Sequence, residues 1–390
     1  YQYWSLNLRS ASDFSWSTDE IDKCAEEFHE LLYDSVRKRL LSDVQIGVSL
    51  SGGIDSSSIL AAAVKYHPGI VSFTSVFEDK ECNEFEYAAE MSEYCDSPLQ
   101  AIYPDISKIL TNLKDIIYYL DEPCAAYGVY PQYHVMKLAS DSVKVLLDGQ
   151  GSDELLLGYL HFLPYYLQTV KLNDLPDGTL ADAVSDVKKY FGKEYASYPK
   201  STCIDTKQRE KIINPELRDL LFFHYHEKEE NGVSPVDQAL YHAATKSILP
   251  GLLHYQDRMS MAFSIESRVP FLDYRIVEFC FSLPHWLKFR KGYTKYILRK
   301  AMWSDLPKKI KTRRDKKGYP TPLRKALQQD LKNESKQILL DGPLKEMNFV
   351  SMAEMEKRLK LHTEGLVDYT WEIWRMIATA VWADTFLTRG

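Results

Sequence analysis

The feature that most constrains this chain is a buried strand that runs directly into a glycine turn and then a helix. Residues 44–50, VQIGVSL, are typical of a buried strand, and residues 59–66, ILAAAVKY, are typical of an apolar helix. Between them lies SGGIDSSS, residues 51–58. The amides of such a turn and the N-terminus of the following helix form an anion site, so we expect a phosphate to dock there. An ordinary tight turn with a helix-capping serine is the simpler alternative.

Strand and helix patterns alternate through the first part of the chain. A helical pattern begins at Thr18, and further strands are predicted at residues 69–77, 98–104 and 143–149. This alternation predicts right-handed βαβ crossovers, and therefore an α/β fold with a parallel sheet flanked by helices. Residues 161–246 lack strand signals and are interpreted as a mostly helical insertion. From Ser247 helical patterns continue to the C-terminal part, where we expect the aromatic residues of 371–387 to pack inward.

Composition narrows the classes of function. The chain has 390 residues and a formal net charge of −7, which does not favour a nucleic-acid partner. Its six cysteines lack CxxC or Cys/His metal spacing, and a chain of this size does not need disulfides for stability. We therefore expect reduced thiols and a cytoplasmic location. No apolar run reaches the roughly 18 residues of a spanning helix, and a membrane partner is not expected.

A second acidic element follows the strand predicted at residues 143–149. The segment LLDGQGSDELLLGY, residues 146–159, places Asp153 and Glu154 just after a pair of glycines. Ligands of parallel sheets bind at the carboxyl ends of the strands, where Asp55 is also expected. Because Mg²⁺ binds through one or two carboxylates and phosphate oxygens, we predict that Asp55 and Asp153 are a metal pair. The alternative is an acidic loop in which Gly149 and Gly151 serve only the turn.

Two charged segments have open interpretations. In residues 255–279, Arg258, Glu266 and Arg268 lie in an apolar background, so each is either ion-paired or functional. If they are not functional, Glu266 and Arg268 would form a buried ion pair with each other. The segment KTRRDKK, residues 311–317, carries five cations in seven positions. It is either a solvated loop or a mobile lid that brings a lysine onto the phosphates.

Five ordered motifs make the chain resemble the synthetase half of the glutamine-dependent asparagine synthetase family. They are SGGIDSS, DEPCAAYGVYP, the DGQGSDE loop, DRMSMAFSIESRVPFLD, and TKYILRKAM followed by RRDKKGYPTP. The resemblance extends from about Tyr3 to Phe386. It implies the PP-loop, adenine-nucleotide α-hydrolase-like fold and cleavage of ATP to AMP and pyrophosphate. Consistently, no lysine follows the glycines as it does in the Walker motif of γ-phosphate-cleaving enzymes.

The resemblance also implies a set of site residues. The pyrophosphate loop would be formed by Ser51, Gly52, Gly53, Asp55 and Ser56. The adenosine pocket would be lined by Ser49, Val76 and Gly149. Asp55 and Asp153 would hold Mg²⁺, and phosphate would be contacted by Lys295 and Lys316, the latter offsetting charge on the α-phosphate. Arg258, Gln150 and Glu266 complete the candidate catalytic set.

Two departures from the family pattern bear on the substrate and the nitrogen donor. Typical members carry Glu where this chain has Gln150, a position that faces the reacting groups. The family's N-terminal glutaminase domain has no counterpart in the 390 residues. We therefore expect residues 1–17 to be the linker from that domain, residues 18–390 to form the synthetase domain, and free ammonia to be the donor.

The resulting hypothesis is an ATP- and Mg²⁺-dependent synthetase that adenylates the aspartate side chain and transfers it to ammonia, giving asparagine. A homodimer is a further expectation. The first alternative is a related amide synthetase or cyclase of the β-lactam, carbapenam or lasso-peptide type, which Gln150 favours. A non-catalytic nucleotide-binding scaffold is disfavoured by Asp55, Asp153 and Lys316. A tRNA-modifying PP-loop enzyme is disfavoured by the lack of basic or zinc-binding appendages.

Overall fold

Five parallel strands form the central sheet in the computed structural model, which describes residues 1, 3–6, 8, 17–172, 184–191, 212, 233–315, 320–348 and 350–387. The strands run in the spatial order β3-β2-β1-β4-β5. They are β1 (Ile46–Ser49), β2 (Val71–Ser75), β3 (Leu99–Ile102), β4 (Val145–Leu147) and β5 (Glu266–Arg268). Because β1 lies between β2 and β4, the strand order reverses beside it, and a crevice forms there at the carboxyl ends of the strands.

Helices surround this sheet and make up most of the described chain. Numbered α1 to α19 in chain order along the described residues, they are Thr18–Arg39, Ile54–Tyr66, Phe85–Tyr94, Ile109–Leu120, Val129–Ser140, Ser152–Leu155, Leu163–Leu172, 184–191, Pro235–Thr245, Ile248–Met261, Tyr274–Ser282, His285–Lys288, Tyr296–Ala301, Lys308–Lys311, Leu323–Gln328, Lys332–Leu340, Leu344–Met347, Met352–Thr363 and Thr370–Phe386. A short antiparallel hairpin pairs β6 (Phe289–Arg290) with β7 (Tyr293–Thr294). Over the described residues, no helix combines the length and apolar character needed to cross a membrane.

Helix α1 shows how strongly local sequence determines an element. Ser17 and Glu20 form a reciprocal capping box at its start, and three basic residues, 37–39, occupy its last turn. Both features stabilise a helix end, the first by satisfying free amides and the second by complementing the helix dipole. Phe28 and Val36 on its inner face are fully buried. The helix predicted to begin at Thr18 is therefore confirmed.

Two apolar cores, one on each face of the sheet, explain the fold class. One core contains Phe28 of α1, Leu60 of α2 and Ile297 of α13. The other contains Phe73 of β2 and Trp374 of α19. Strand β1 is buried along its whole length because helices cover both of its faces. The predicted α/β fold with a parallel sheet flanked by helices is thus confirmed.

The structure corrects the sequence prediction in two places. Residues 247–390 were expected to be helical, but β5 joins the sheet beside β4, with Leu147 opposite Arg268, and the β6–β7 hairpin interrupts the helices. Of the predicted helical insertion, residues 163–172, 184–191 and 235–245 are helical, and most of the remainder lies outside the described residues. Strands of two or three residues leave too short a periodic signal to be recognised in a sequence.

Gly52 provides a test of how tightly the glycine turn packs. Its φ is +70°, and a Cβ at this position would lie 2.4 Å from Cβ of Tyr87 in α3. Gly69 has a similar φ of +74°, but a Cβ there would meet nothing within 4 Å. We expect Gly69→Ala to cost about 1–2 kcal/mol from backbone strain alone. Gly52→Ala should cost roughly 2 kcal/mol more, because α3 must also move.

Urea unfolding followed by far-ultraviolet circular dichroism measures both losses on the same scale. Gly69→Ala is the matched control, since it changes the same residue type at the same backbone conformation. Equal losses for the two variants would contradict the close approach of α3 to the turn.

Candidate active site

A cleft of about 550 Å³ opens at the carboxyl ends of β1 and β4. This is the crevice that the strand order creates, and it is where parallel sheets bind ligands. Predicted site residues line it from both connecting loops: Ser49, Ser51, Asp55, Ser56, Gly149, Gln150 and Asp153. The structure therefore brings together two motifs that are about a hundred residues apart in the sequence.

The glycine turn forms one wall of the cleft. Gly53 is the N-cap of α2 and supplies no side-chain hydrogen bond to the helix. Ser51 and Ser56 hold the turn in shape, since the Ser51 amide donates to Oγ of Ser56 at 3.2 Å and the Gly53 amide donates to Oγ of Ser51 at 3.3 Å. An uncapped N-terminus of a 13-residue helix favours an anion. The wall is thus suited to phosphate.

Beside the turn, the two predicted metal ligands share one ammonium group. Nζ of Lys295 lies 2.7 Å from both carboxylate oxygens of Asp55 and 2.6 Å from Oδ1 of Asp153. Oγ of Ser152 donates a further hydrogen bond of 2.6 Å to Oδ1 of Asp55. All three charged side chains are buried at the base of the cleft. Two carboxylates that converge on one cation position are a donor set that fits Mg²⁺.

Further carboxyl groups surround this cluster and are shifted by burial. Burial raises the pKa of Asp148 to about 6. Hydrogen bonds from its neighbours lower the pKa, but they offset this effect only in part. Burial, followed by the charge of Asp153, raises the pKa of Glu154 to about 7. The hydroxyl of Tyr159 donates to Oε1 of Glu154 at 2.7 Å. The base of the cleft therefore concentrates acidic groups, a setting that attracts cations.

The opposite wall is formed by residues that sequence reasoning missed. Its aromatic part joins Tyr127 to Trp371, whose ring centroids are 4.5 Å apart. Tyr255 and Gln132 extend the wall, and Trp371 remains 43% exposed. Tyr127 lies within the DEP segment noted in the sequence, but Trp371 belongs to a distant helix. No sequence pattern connects the two positions.

Val76, predicted to line the adenosine pocket, follows β2 and is not among the residues that line the cleft or the cavity next to it. It is buried, and its amide donates to the carbonyl oxygen of Ile102 at 2.8 Å. A small adjoining cavity of about 20 Å³ is lined by Ser49, Phe73 and Ser75, among others. Its position next to the carboxyl ends of β1 and β2 agrees with the predicted adenosine pocket, whose assignment stays a prediction.

Two residues of the candidate catalytic set lie outside the cleft. Arg258 occupies the last turns of α10, where its side chain is 44% exposed and lies 3.5 Å from a carboxylate oxygen of Asp121. Glu266 is at the amino end of β5, the edge of the sheet away from the glycine turn, and binds Arg268 at 2.7 Å. The predicted ion pair between Glu266 and Arg268 therefore forms, but it is not buried, because the Glu266 side chain is 61% exposed. These positions give no support to direct substrate contact by Arg258 or Glu266.

Lys316 falls outside the described residues, but the segment leading to it is anchored beside the glycine turn. Arg313 is buried, forms an ion pair with Glu84 and stacks 3.8 Å from the ring centroid of Tyr87. Its Nη1 lies 3.5 Å from the carbonyl oxygen of Gly52. The basic segment therefore begins on the glycine-turn side of the cleft.

A parallel sheet with a glycine turn and an acidic loop at its carboxyl edge defines an α/β domain of the PP-loop class. The family model for asparagine synthase matches residues 27–384 of the chain. The chain therefore belongs to the asparagine synthase family. Members of this family are ATP-dependent ligases that form carbon–nitrogen bonds.

Curated relatives agree with this assignment. The chain is 28% identical over 384 residues to glutamine-hydrolyzing asparagine synthetase 1 of Bacillus subtilis (strain 168), a match that covers 93% of the chain and 60% of that protein. It is 27% identical over 344 residues to asparagine synthetase 3 of the same strain, with 82% and 51% covered. A shorter match to asparagine synthetase B of Escherichia coli (strain K12) is 31% identical over 157 residues, covering 35% and 27%. The chain thus spans no more than about 60% of these relatives.

Glu154 provides a pH-dependent test of the acidic cluster. Its pKa is raised from 4.5 to about 7 by burial, so the folded protein favours the protonated form and wild-type stability falls as pH rises between these values. Glu154→Gln removes that cost and keeps the volume. We expect the variant to gain roughly 1–3 kcal/mol relative to wild type between pH 5 and pH 8.

Urea unfolding of both proteins at the two pH values gives this difference directly. Glu26→Gln, at an exposed position of α1, is the control and should give no such gain. A gain for Glu154→Gln that is the same at pH 5 and pH 8 would mean that Glu154 is charged in the folded protein throughout this range.

Proposed function

We propose that this chain adenylates a carboxylate with ATP and then transfers the acyl group to a nitrogen nucleophile. The observation that carries the proposal is the joint lining of one cleft by the glycine turn and by Asp55 and Asp153. A phosphate cradle next to paired carboxylates is what nucleotide activation requires. Family membership supports the same reaction class.

The proposed reaction has two steps. In the first, an oxygen of the substrate carboxylate attacks the α-phosphorus of ATP, and the bond to the pyrophosphate oxygen breaks. In the second, the nitrogen attacks the activated carbonyl, the bond to AMP breaks, and nitrogen loses a proton. The products are an amide, AMP and pyrophosphate.

The residues divide these tasks. The amides of residues 51–56 would hold the departing pyrophosphate, and Asp55 with Asp153 would hold Mg²⁺. When bound, Mg²⁺ would neutralise charge on the phosphates. Lys316, at the end of the segment anchored by Arg313, would offset charge that develops on the α-phosphate.

For the substrates, aspartate and ammonia are the first pair to test, as the family resemblance implies. The matched relatives are named glutamine-hydrolyzing. For this chain we propose that nitrogen reaches the cleft as free ammonia or from a glutaminase domain. A linker at residues 1–17, a synthetase domain at residues 18–390, a cytoplasmic location and a homodimer are further parts of the proposal.

A second candidate is amide formation on a larger carboxylate with an apolar or aromatic group. Two observations favour it: the Tyr127–Trp371 pair faces the cleft, and Gln150 is a neutral amide where a carboxylate is usual. Aromatic surface in a cleft contributes binding energy for apolar groups that aspartate lacks. The chemistry of activation would be the same in both candidates.

Carboxylate-dependent pyrophosphate release distinguishes these functions. With ATP, Mg²⁺ and ammonium, we expect release to depend on an added carboxylate, first aspartate and then peptides that carry an aromatic residue beside the reacting carboxyl group. Trp371→Ala should lower pyrophosphate release only with the aromatic substrates. Trp382→Ala, which changes the same residue type on the same helix but outside the cleft lining, is its control. No release with any carboxylate would sink the proposed reaction.

Lys316 provides a test of the activation step. We expect Lys316→Ala to lower kcat by roughly 10²–10³, the range for removing one preorganised charge stabiliser. Binding of ATP should change much less, because the charge it offsets develops mainly in the transition state. Lys317→Ala removes the same charge one position further along and should have a small effect. Similar losses for the two variants would indicate a general electrostatic effect of the basic segment.

A further inference from the structure

The side chain of Lys295 occupies the position where the two predicted metal ligands converge. It is 1% exposed, and its Nζ lies 2.6–2.7 Å from oxygens of Asp55 and Asp153. A hard divalent cation would use the same carboxylate oxygens, at about 2.0–2.1 Å for Mg²⁺. An ammonium group and a metal ion cannot both fill this position. One must leave before the other enters.

The backbone fixes Lys295 in this place. Its φ of 55° and ψ of 38° are left-handed, and it forms the N-cap of α13. Its amide donates to the carbonyl oxygen of Leu156 at 3.2 Å, which ties it to the end of α6, the helix that carries Asp153. The four-carbon stem of lysine remains free to change rotamer without moving these contacts. Only the side chain has to move for the position to open.

The charges around Lys295 differ from those of a simple buried pair. One ammonium group contacts two carboxylates, those of Asp55 and Asp153. Arg299 also interacts electrostatically with Asp55, but its guanidinium donates to the carbonyl oxygens of Thr294 and Lys311. The ammonium group of Lys295 can therefore neutralise only one of the two carboxylates that it contacts at the base of an open cleft. Such a position attracts a divalent cation once the ammonium group is displaced.

We propose that Lys295 is a positioning residue that closes the metal site in the nucleotide-free protein, so that a divalent cation enters only together with ATP. The phosphates supply the negative charge that draws the lysine side chain away from Asp55 and Asp153. The lysine is then available to contact phosphate, the role that the family resemblance implies for it. This inference rests on the proposed function, because it takes Asp55 and Asp153 as the metal ligands.

Binding of Mn²⁺ to the nucleotide-free protein, followed by electron paramagnetic resonance, tests the proposal without any catalytic readout. Wild type should bind Mn²⁺ weakly. Lys295→Met keeps the length of the apolar stem and removes the charge, so it should bind about one Mn²⁺ roughly tenfold more tightly or better. Lys288→Met is the matched control, because Lys288 is also fully buried and paired with one carboxylate, 2.9 Å from Asp237. It should bind Mn²⁺ as wild type does.

A wild-type measurement keeps the proposal testable if Lys295→Met fails to fold. A thermal melt of wild type should shift with Mn²⁺ plus a non-hydrolysable ATP analogue and not with Mn²⁺ alone. Tight binding of Mn²⁺ to nucleotide-free wild type, or no gain in folded Lys295→Met, would overturn the proposal. If either result were found while pyrophosphate release still depended on an added carboxylate, the role proposed for Lys295 would be rejected and the proposed reaction would stand. The failure of one proposal can therefore be told from the failure of the other.

Discussion

The ion cluster of Asp55, Asp153 and Lys295 is the interaction on which the rest of the site depends. It joins three segments that are distant in the chain: the first turn of α2, helix α6 and the residue before α13. Charges this deeply buried are tolerated only when they are paired, so each segment must hold its position for the others to be stable. The cluster thereby fixes the C-terminal part of the chain against the carboxyl edge of the sheet.

This arrangement concentrates negative charge where the proposed reaction has to manage it. Asp148 and Glu154, whose pKa values are raised by burial, can carry protons near neutral pH and so limit the repulsion around Asp55 and Asp153. The ammonium group of Lys295 lies between the carboxylates of Asp55 and Asp153 and further reduces their mutual repulsion. Under the proposed function, a bound nucleotide would add phosphate charge at the glycine turn, and the cations would then be redistributed. If Lys295 acts as proposed, positive charge would move between carboxylates and phosphates through a change in its side chain, while its backbone contact with Leu156 is kept.

The sequence predicted the fold class and much of the cleft because both depend on contiguous patterns. Alternating strands and helices specify a parallel sheet, and its topology brings residues 51–56 and 149–153 to one edge. Strand β5 escaped prediction because three residues show no periodicity. Arg258 and Glu266 lie in an apolar segment where a charge is either ion-paired or functional, and the sequence could not decide between the two. Both form ion pairs outside the lining of the cleft. The position of Lys295 between the carboxylates required the tertiary structure.

One wall of the cleft comes from contiguous sequence motifs, and the other is assembled from separate segments. The activation chemistry can therefore be inferred from the sequence more readily than the acceptor. The phosphate wall comes from the short connections after β1 and β4, whose spacing is fixed by the sheet. The opposite wall combines the turn before α5, the middle of α10 and the first turn of α19, which contribute Tyr127, Tyr255 and Trp371. Substitutions there can change the acceptor without disturbing the sheet or the ion cluster. A family built on this plan can therefore keep one activation chemistry while its members act on different carboxylates.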